Sequence, residues 1–358
     1  MANPAAPPAQ ARVLAERSAA QLLSGPPAGT AEAVAGRLLA IQGQDPRGAR
    51  LAIRARSTGL SAADVDQSLT AHRTLVTGWL NRGTLHLVRS VDYWPLHQLT
   101  TPPMHTACSR RLAQEGIQPD QADRGAAVIE RALADDGPLT RAQLGERLRA
   151  AGLRTAGQAL VYLLYLAGLR GISVRGPMAD QEQAYVLARD WVGAPPALDR
   201  DAALGWLARR YLTGHGPAAD RDLAKWSGLP LRDARRGLAS IGSGLVQQDD
   251  GLVSLPGVPD GAAPPELPPA RLLGAFDPVL HGWQSRAPVL GRYEAAIVQG
   301  GMFRPFALVR GRAAGTWGLP GGRVELTALA ELTAADRATL AADAADVTRF
   351  LGLPAHAS

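Results

Sequence analysis

The chain has 358 residues, 46% of them hydrophobic and 20% charged, with a net charge of +6; this is globular composition and excludes a disordered class. Its one cysteine, Cys108, excludes an internal disulfide framework, a cysteine zinc site and an iron–sulfur cluster. No apolar run spans a bilayer, and MANPAAPPAQARVLAERSAA lacks the order of a secretory leader, so the expectation is a soluble, cytoplasmic protein.

Residues 11–24 read as an amphipathic helix closed by Ser24, Gly25, Pro26 and Pro27. Thr30 caps a second helix, TAEAVAGRLLAIQ, with Glu32 in its first turn. Gly43 and Pro46 stop that helix, and RLAIRAR then alternates like a strand. Ser61 caps a helix over SAADVDQSLT. The segments TLVTGWL and GTLHLVR follow as strands joined by Asn81, Arg82 and Gly83.

The middle of the chain holds a weak repeat. Two helices, the apolar helix RTAGQALVYLLYLAGL and the strands GISVRG and AYVLARD form its first copy. DAALGWLARRYLTGHGPAADRDLAKW, PLRDARRGLAS and the strands GLVQQDD and GLVSL keep that order in the second. Three helices followed by a two-stranded wing is the winged-helix form of helix-turn-helix, and the amino-terminal region has the same ingredients less regularly. A Pro-rich linker, LPGVPDGAAPPELPPARL, leads to short strands in LLGAFDPVL, YEAAIVQGG, FRPFALVRG and RAAGTWGLPGGRVEL, then to a closing helix, ATLAADAADVTRFL. The expected fold is α+β, with three tandem winged-helix modules over 10–100, 104–192 and 197–256. A C-terminal β-barrel with its closing helix occupies 268–355.

Winged helices are first of all DNA-binding modules, so a non-enzymatic DNA-binding or regulatory protein is the default for the class. Lys225 is the one lysine, which makes the positive charge almost wholly arginine, the better bidentate phosphate ligand; a GC-rich genome produces the same bias. Arg232, Arg235 and Arg236 suit phosphate contact or base reading. RTAGQALVYLLYLAGL, however, is too apolar to lie in a groove, which weakens the regulator reading.

The combination LLAIQGQDPRGA, GWLNRGTLHLVRSVDYWPL, GAFDPVL and AAGTWGL resembles the AlkZ/YcaQ-like family of bacterial DNA glycosylases, in its Gln-x-Gln branch, from about residue 10 to 330. The resemblance implies three winged helices and a β-barrel around a concave DNA channel, with Gln42 and Gln44 at its centre. It also implies excision of N7-alkylated purines from double-stranded DNA, unhooking of interstrand crosslinks, and self-resistance against DNA-alkylating antibiotics. One departure is Gly43, where the family more often carries alanine or another aliphatic residue. Glycine adds backbone freedom between the two side chains.

Glutamine is a poor acid and a poor base, yet the chemistry suits it. An N7-alkylguanine is already cationic and leaves without protonation, through an oxocarbenium-like state as in glycoside hydrolysis. A held water and dipoles aimed at the developing positive charge are then sufficient. The expected catalytic pair is Gln42 and Gln44. Asp45 supplies negative potential or caps a helix. Thr84 and His86 share a strand face with Arg82, where Arg82 and His86 touch phosphate; a histidine between leucines is otherwise a hydrogen-bonded core residue. Trp79, Tyr93 and Trp94 read as core. Part of the set Arg47, Arg50, Arg54 and Arg56 meets the DNA backbone, Arg47 and Arg50 above all.

Met302, Phe303 and Arg304 form a wedge that probes the duplex, or Gly300 and Gly301 only turn a barrel strand. Strand-nicking glycosylases use an amine to form a Schiff base. The lone Lys225 lies in the second helix of the third module, so the expectation is a monofunctional enzyme that leaves an abasic site, the N-terminal amine being the one alternative nucleophile. A chain poor in aromatics also argues against a tight base-flipping pocket. No metal, cofactor or membrane is expected, and one chain suffices as a monomer.

Overall fold

The computed structural model describes residues 8–179, 182–248, 250–256 and 266–354. The amino-terminal lead through residue 7 and residues 257–265 of the expected linker lie outside the described residues. The chain forms two compact units, Met1–Val65 with Leu204–Ser358, and Asp66–Ala203.

In the unit Asp66–Ala203, strands Leu75–Leu80 and Thr84–Arg89 pair antiparallel, from Leu75 opposite Arg89 to Leu80 opposite Thr84. The turn between them needs left-handed backbone at Arg82 (φ 58°) and Gly83 (φ 74°), which only the second residue supplies without strain. Strand Leu75–Leu80 also pairs with Ser173–Ala179 through Thr77 and Arg175, and Ser173–Ala179 pairs with Glu182–Leu187. The hairpin expected of the first module and the strand pair expected of the second thus share one sheet. Helices Pro119–Asp136, Arg141–Ala150 and Ala159–Leu169 supply the core beside it, through Ile129, Leu133, Leu144, Leu148, Leu163 and Leu166. Thr140 and Gln143 cap Arg141–Ala150 reciprocally, two orphan donors satisfied at once.

The other unit begins with helices Pro8–Ala20, Ala31–Leu38 and Pro46–Arg54. The last of these overturns the strand expected over RLAIRAR. Asp45 caps it and Pro46 occupies its first turn, both helix-start signals. Gly48, Ala49, Leu51, Ala52 and Ile53 are all buried, and Arg47, Arg50 and Arg54 recur at three- and four-residue spacing, the helical period that an alternating reading of RLAIRAR passes over. Helices Arg200–His215, Asp220–Ser227 and Leu231–Ser240 follow, then the strand pair Val246–Gln247 and Val253–Ser254.

The expected C-terminal barrel does not form. Four strands make an open sheet in the order Glu325–Ala328, Arg312–Gly318, Phe306–Val309, Arg271–Leu273. LLGAFDPVL supplies only Arg271–Leu273, because Phe276 (φ 58°) and the turn Pro278–Leu280 divert the chain. YEAAIVQGG begins as the short helix Glu294–Ile297, so the strands needed for closure are absent among the described residues. Helix Ala334–Phe350 instead covers the Arg271–Leu273 edge, where the Leu272 N–H donates to Asp343 at 2.6 Å.

Candidate active site around Gln42 and Gln44

The segment carrying both glutamines is held at each end. Thr30 caps helix Ala31–Leu38 by accepting from the Ala33 N–H at 3.1 Å. That helix stops at Leu39, whose backbone is left-handed (φ 64°, ψ −45°). Ile41–Gln42 is extended, and a bend through Gln44 leads to Asp45. There the carboxylate accepts from the Arg47 N–H at 2.9 Å and starts helix Pro46–Arg54.

Gln42 is 7% exposed, and its amide oxygen is buried with no hydrogen-bond partner. An unsatisfied buried acceptor costs about 1–3 kcal/mol, so the fold holds a carbonyl dipole unquenched at this point. Gln44 is exposed. Gly43 keeps a negative φ, so its backbone does not require glycine.

The helix after the motif is locked from below by the GAFD segment. A Cβ on Gly48 would sit 2.3 Å from the Ala275 carbonyl oxygen, and one on Gly274 3.0 Å from the Gly48 carbonyl oxygen. Neither position tolerates a side chain without displacing backbone. Arg54 is 2% exposed and binds Asp343 at 2.9 Å and the Leu272 carbonyl at 2.6 Å. Arg56 and Asp277 form a fork-to-fork pair at 2.7 and 2.9 Å with both side chains 0% exposed. Gln21 adds its carboxamide oxygen to Arg56 at 3.0 Å. Trp317, from the AAGTWGL segment, donates to the Leu273 carbonyl at 2.9 Å behind this brace.

These contacts revise the arginine run. Arg47 alone of the four is exposed. Arg50 is 9% exposed and turned back onto the Pro46 carbonyl at 2.9 Å, and Arg54 and Arg56 are internal ion pairs. Nothing local in the sequence separates them from Arg47, since Asp277 and Asp343 lie 221 and 289 residues away from their partners.

Within the other unit, Thr84 closes its hairpin by donating to the Asn81 carbonyl at 3.1 Å. His86 is 3% exposed with Nδ1 against the Thr84 carbonyl at 3.0 Å. Burial first, then the Arg82 charge, depress its pKa to about 3. A neutral, buried imidazole is a poor phosphate ligand, and the core alternative describes His86. Asp45 likewise serves as a helix cap. Arg82 is half-buried in the left-handed turn.

Arg232, Arg235 and Arg236 are exposed on helix Leu231–Ser240, whose inner face carries Ala234 and Gly237; Arg235 pairs with Asp220 at 2.6 Å. Lys225 is exposed on Asp220–Ser227. In the hairpin of Val298–Gln299 and Met302–Phe303, Gly300 and Gly301 both take positive φ. Its tip presents Met302, 64% exposed, and Arg304, which binds Gln299 at 3.1 Å. Phe303 does not belong to a wedge: it is 8% exposed and packs on Phe276 and His281, with ring centroids 5.1 and 4.5 Å apart.

Among the described residues, no group of three or more His, Cys, Asp or Glu side chains is placed to hold a metal ion, and no helix is long and apolar enough to cross a membrane. The family model for DNA glycosylase AlkZ-like proteins matches residues 35–350. A curated relative, the interstrand DNA cross-link repair glycosylase of Streptomyces sahachiroi, is 25% identical over 366 residues, covering 96% of each chain. The solved structure of the DNA glycosylase AlkZ from the same organism superposes with a TM-score of 0.76, again at 25% identity and 96% coverage of both chains.

Proposed function

The chain belongs to the AlkZ-like DNA glycosylase family, and from that premise we propose that it hydrolyses the N-glycosidic bond of N7-alkylated guanine in duplex DNA, with Gln42 and Gln44 as the catalytic pair. The buried, unpartnered amide oxygen of Gln42 is the observation that carries this reading. That oxygen is shielded from solvent in the free chain and has no protein partner, which leaves its dipole for a water or a cationic sugar brought in with the bound duplex.

The bond order balances without a strong base. The C1′–N9 electron pair returns to the base, which leaves as neutral 7-alkylguanine. The oxocarbenium carbon takes the water oxygen, and the surplus proton passes to solvent. Gln44, exposed two residues further on, is the second carboxamide for the same water or for the sugar. Asp45 acts through the helix it caps. The product is an abasic site, because the single lysine, Lys225, sits on a helix remote in sequence from the motif and no amine is assigned to a lyase step.

DNA backbone contacts are assigned to Arg47, Arg232, Arg236 and Arg304, all exposed, with lesser parts for Arg82 and the ion-paired Arg235; buried Arg50 is not among them. Winged-helix modules over 10–100, 104–192 and 197–256, action as a monomer without a cofactor, and self-resistance to an alkylating antibiotic complete the proposal. The relative named for interstrand DNA cross-link repair supports crosslinked adducts among the substrates.

The test is release of free base from duplexes carrying N7 adducts of increasing size, read beside a borohydride trap for a covalent enzyme–DNA adduct. Release without trapping supports the proposal. Binding with no release of any adduct, unchanged by Gln42→Ala, supports a non-enzymatic DNA-binding protein instead.

A further inference from the structure

Three residues before Gln42, Leu39 adopts φ 64° and ψ −45°, and the Ala40 N–H donates across it to the Leu38 carbonyl at 2.8 Å. This is the tight γ-turn with positive φ at its centre, a rare and strained conformation. Positive φ favours glycine. Here the residue is leucine, 0% exposed, flanked by Leu38 and Ile41 at 0% and Ala40 at 4%. The strain is therefore maintained by core packing.

The preceding backbone has no room to relax. Gly214 packs against the end of helix Ala31–Leu38 so closely that a Cβ there would lie 2.3 Å from the Arg37 carbonyl oxygen and 3.2 Å from the Leu38 Cα. Arg210 holds the Gly36 carbonyl at 2.7 Å, and Arg37 reaches back to the Ala20 carbonyl at 2.9 Å. The Gly36 and Leu38 carbonyls are thus committed, the backbone at Arg37 is hemmed in by Gly214, and the change of direction falls on Leu39. Beyond it only Ala40 and Ile41 separate the turn from the unpartnered carboxamide, and the Asp45 cap fixes the far end.

We infer that Leu39 is a positioning residue for base excision: its left-handed turn sets the direction of the extended Ile41–Gln42 segment and so aims the Gln42 amide oxygen at the attacking water. The inference rests on the reading of Gln42 as the water-holding acceptor. Over-determined strain of this kind concentrates where geometry is part of mechanism. Misplacing a catalytic group by about 1 Å costs about 100-fold in rate.

The test compares Leu39→Gly with Leu39→Ala in the full chain, measuring single-turnover release of N7-methylguanine, duplex affinity and thermal midpoint. The two variants lose nearly the same packing, but only glycine enters the left-handed region freely. The turn predicts that Leu39→Gly releases base about tenfold faster than Leu39→Ala, the cost of left-handed backbone to an L-residue. It also predicts that Leu39→Gly melts higher, while duplex affinity is equal in the two. A residue that merely fills the core predicts the opposite order, because alanine retains more buried surface and less chain entropy than glycine. Alanine equal to or better than glycine in release overturns the inference. Gln42→Ala, run alongside, separates the premises: if it is fully active, the water-holding reading falls and this inference with it. If it is inactive while alanine and glycine at 39 are equal, the positioning role alone falls.

Discussion

At the scale of single residues, the site consists of one unquenched dipole and the charges that keep its support rigid. Asp277 is the clearest case of the latter. Asp277→Ala leaves the buried Arg56 guanidinium without its carboxylate, and loss of one partner from such a pair costs about 3–5 kcal/mol. Urea unfolding measures it, and a loss below about 1 kcal/mol contradicts the brace.

Two buried histidines make stability depend on pH. His86 and His215 both have a pKa near 3 in the folded chain, from burial first and then nearby arginines, against an ordinary 6.5. Between those values the unfolded chain binds protons that the native chain does not. Stability is therefore complete above about pH 6.5 and falls by about 1.4 kcal/mol per pH unit for each histidine as the pH drops towards 3. Urea midpoints at pH 7 and pH 5 check this. Native stability that stays flat, or rises, on acidification contradicts it.

Elements carry the next set of expectations. Helix Pro46–Arg54 lies flat on the GAFD backbone because Gly48 has no side chain. Gly48→Ala pushes the helix from its seat, with a cost of about 1–3 kcal/mol and slower base release from a displaced motif. Wild-type release by that variant contradicts the link between brace and site. The hairpin divides just as sharply. Phe303→Ala opens a hole against Phe276 and His281 and costs about 3 kcal/mol. Met302→Ala, at the exposed tip, changes stability by no more than about 0.5 kcal/mol. Thermal melts of the two variants decide, and equal shifts contradict the assignment of Phe303 as the anchor.

This scale also shows where sequence reading stops. The cap at Thr30 was legible because its signal is complete within a few positions, and the Gln-x-Gln pair stands out in the sequence for the same reason. The strand expected over RLAIRAR gives way to a helix that Asp45 and Pro46 announce, because the alternation of Leu51 and Ile53 between Arg50 and Arg54 spans too few residues to outweigh those start signals. Arg54 and Arg56 are in fact buried, neutralised by carboxylates that only the tertiary fold delivers. The barrel failed for a related reason: the positive φ of Phe276 is a decision of the packed core, and it cuts short a strand that composition alone extends. Leu39 escaped notice too, since nothing in LLAIQ marks a reversal at a leucine.

For the whole molecule, family membership and a basic surface converge on DNA. Exposed arginines that meet phosphate make affinity fall steeply with salt, with a slope of about 0.9 per phosphate contact on a log–log scale. Arg232→Ala and Arg236→Ala each reduce that slope by about one while leaving base release at saturating enzyme unchanged. The motif segments at Gly48, Gly274 and Trp317 meet in one rigid support. Buried ion pairs at Arg54 and Arg56 brace the helix that follows the two glutamines.

In the proposed reaction a carboxamide pair suffices because the damaged nucleotide is already a cation. Its most direct measurement is single-turnover release of N7-methylguanine from duplex DNA by the wild type, Gln42→Ala and Gln44→Ala, with duplex affinity measured on the same samples. Each substitution is expected to slow release by about 100-fold or more while affinity stays within about twofold. Undiminished release by Gln42→Ala, in a protein that still binds the duplex, contradicts it.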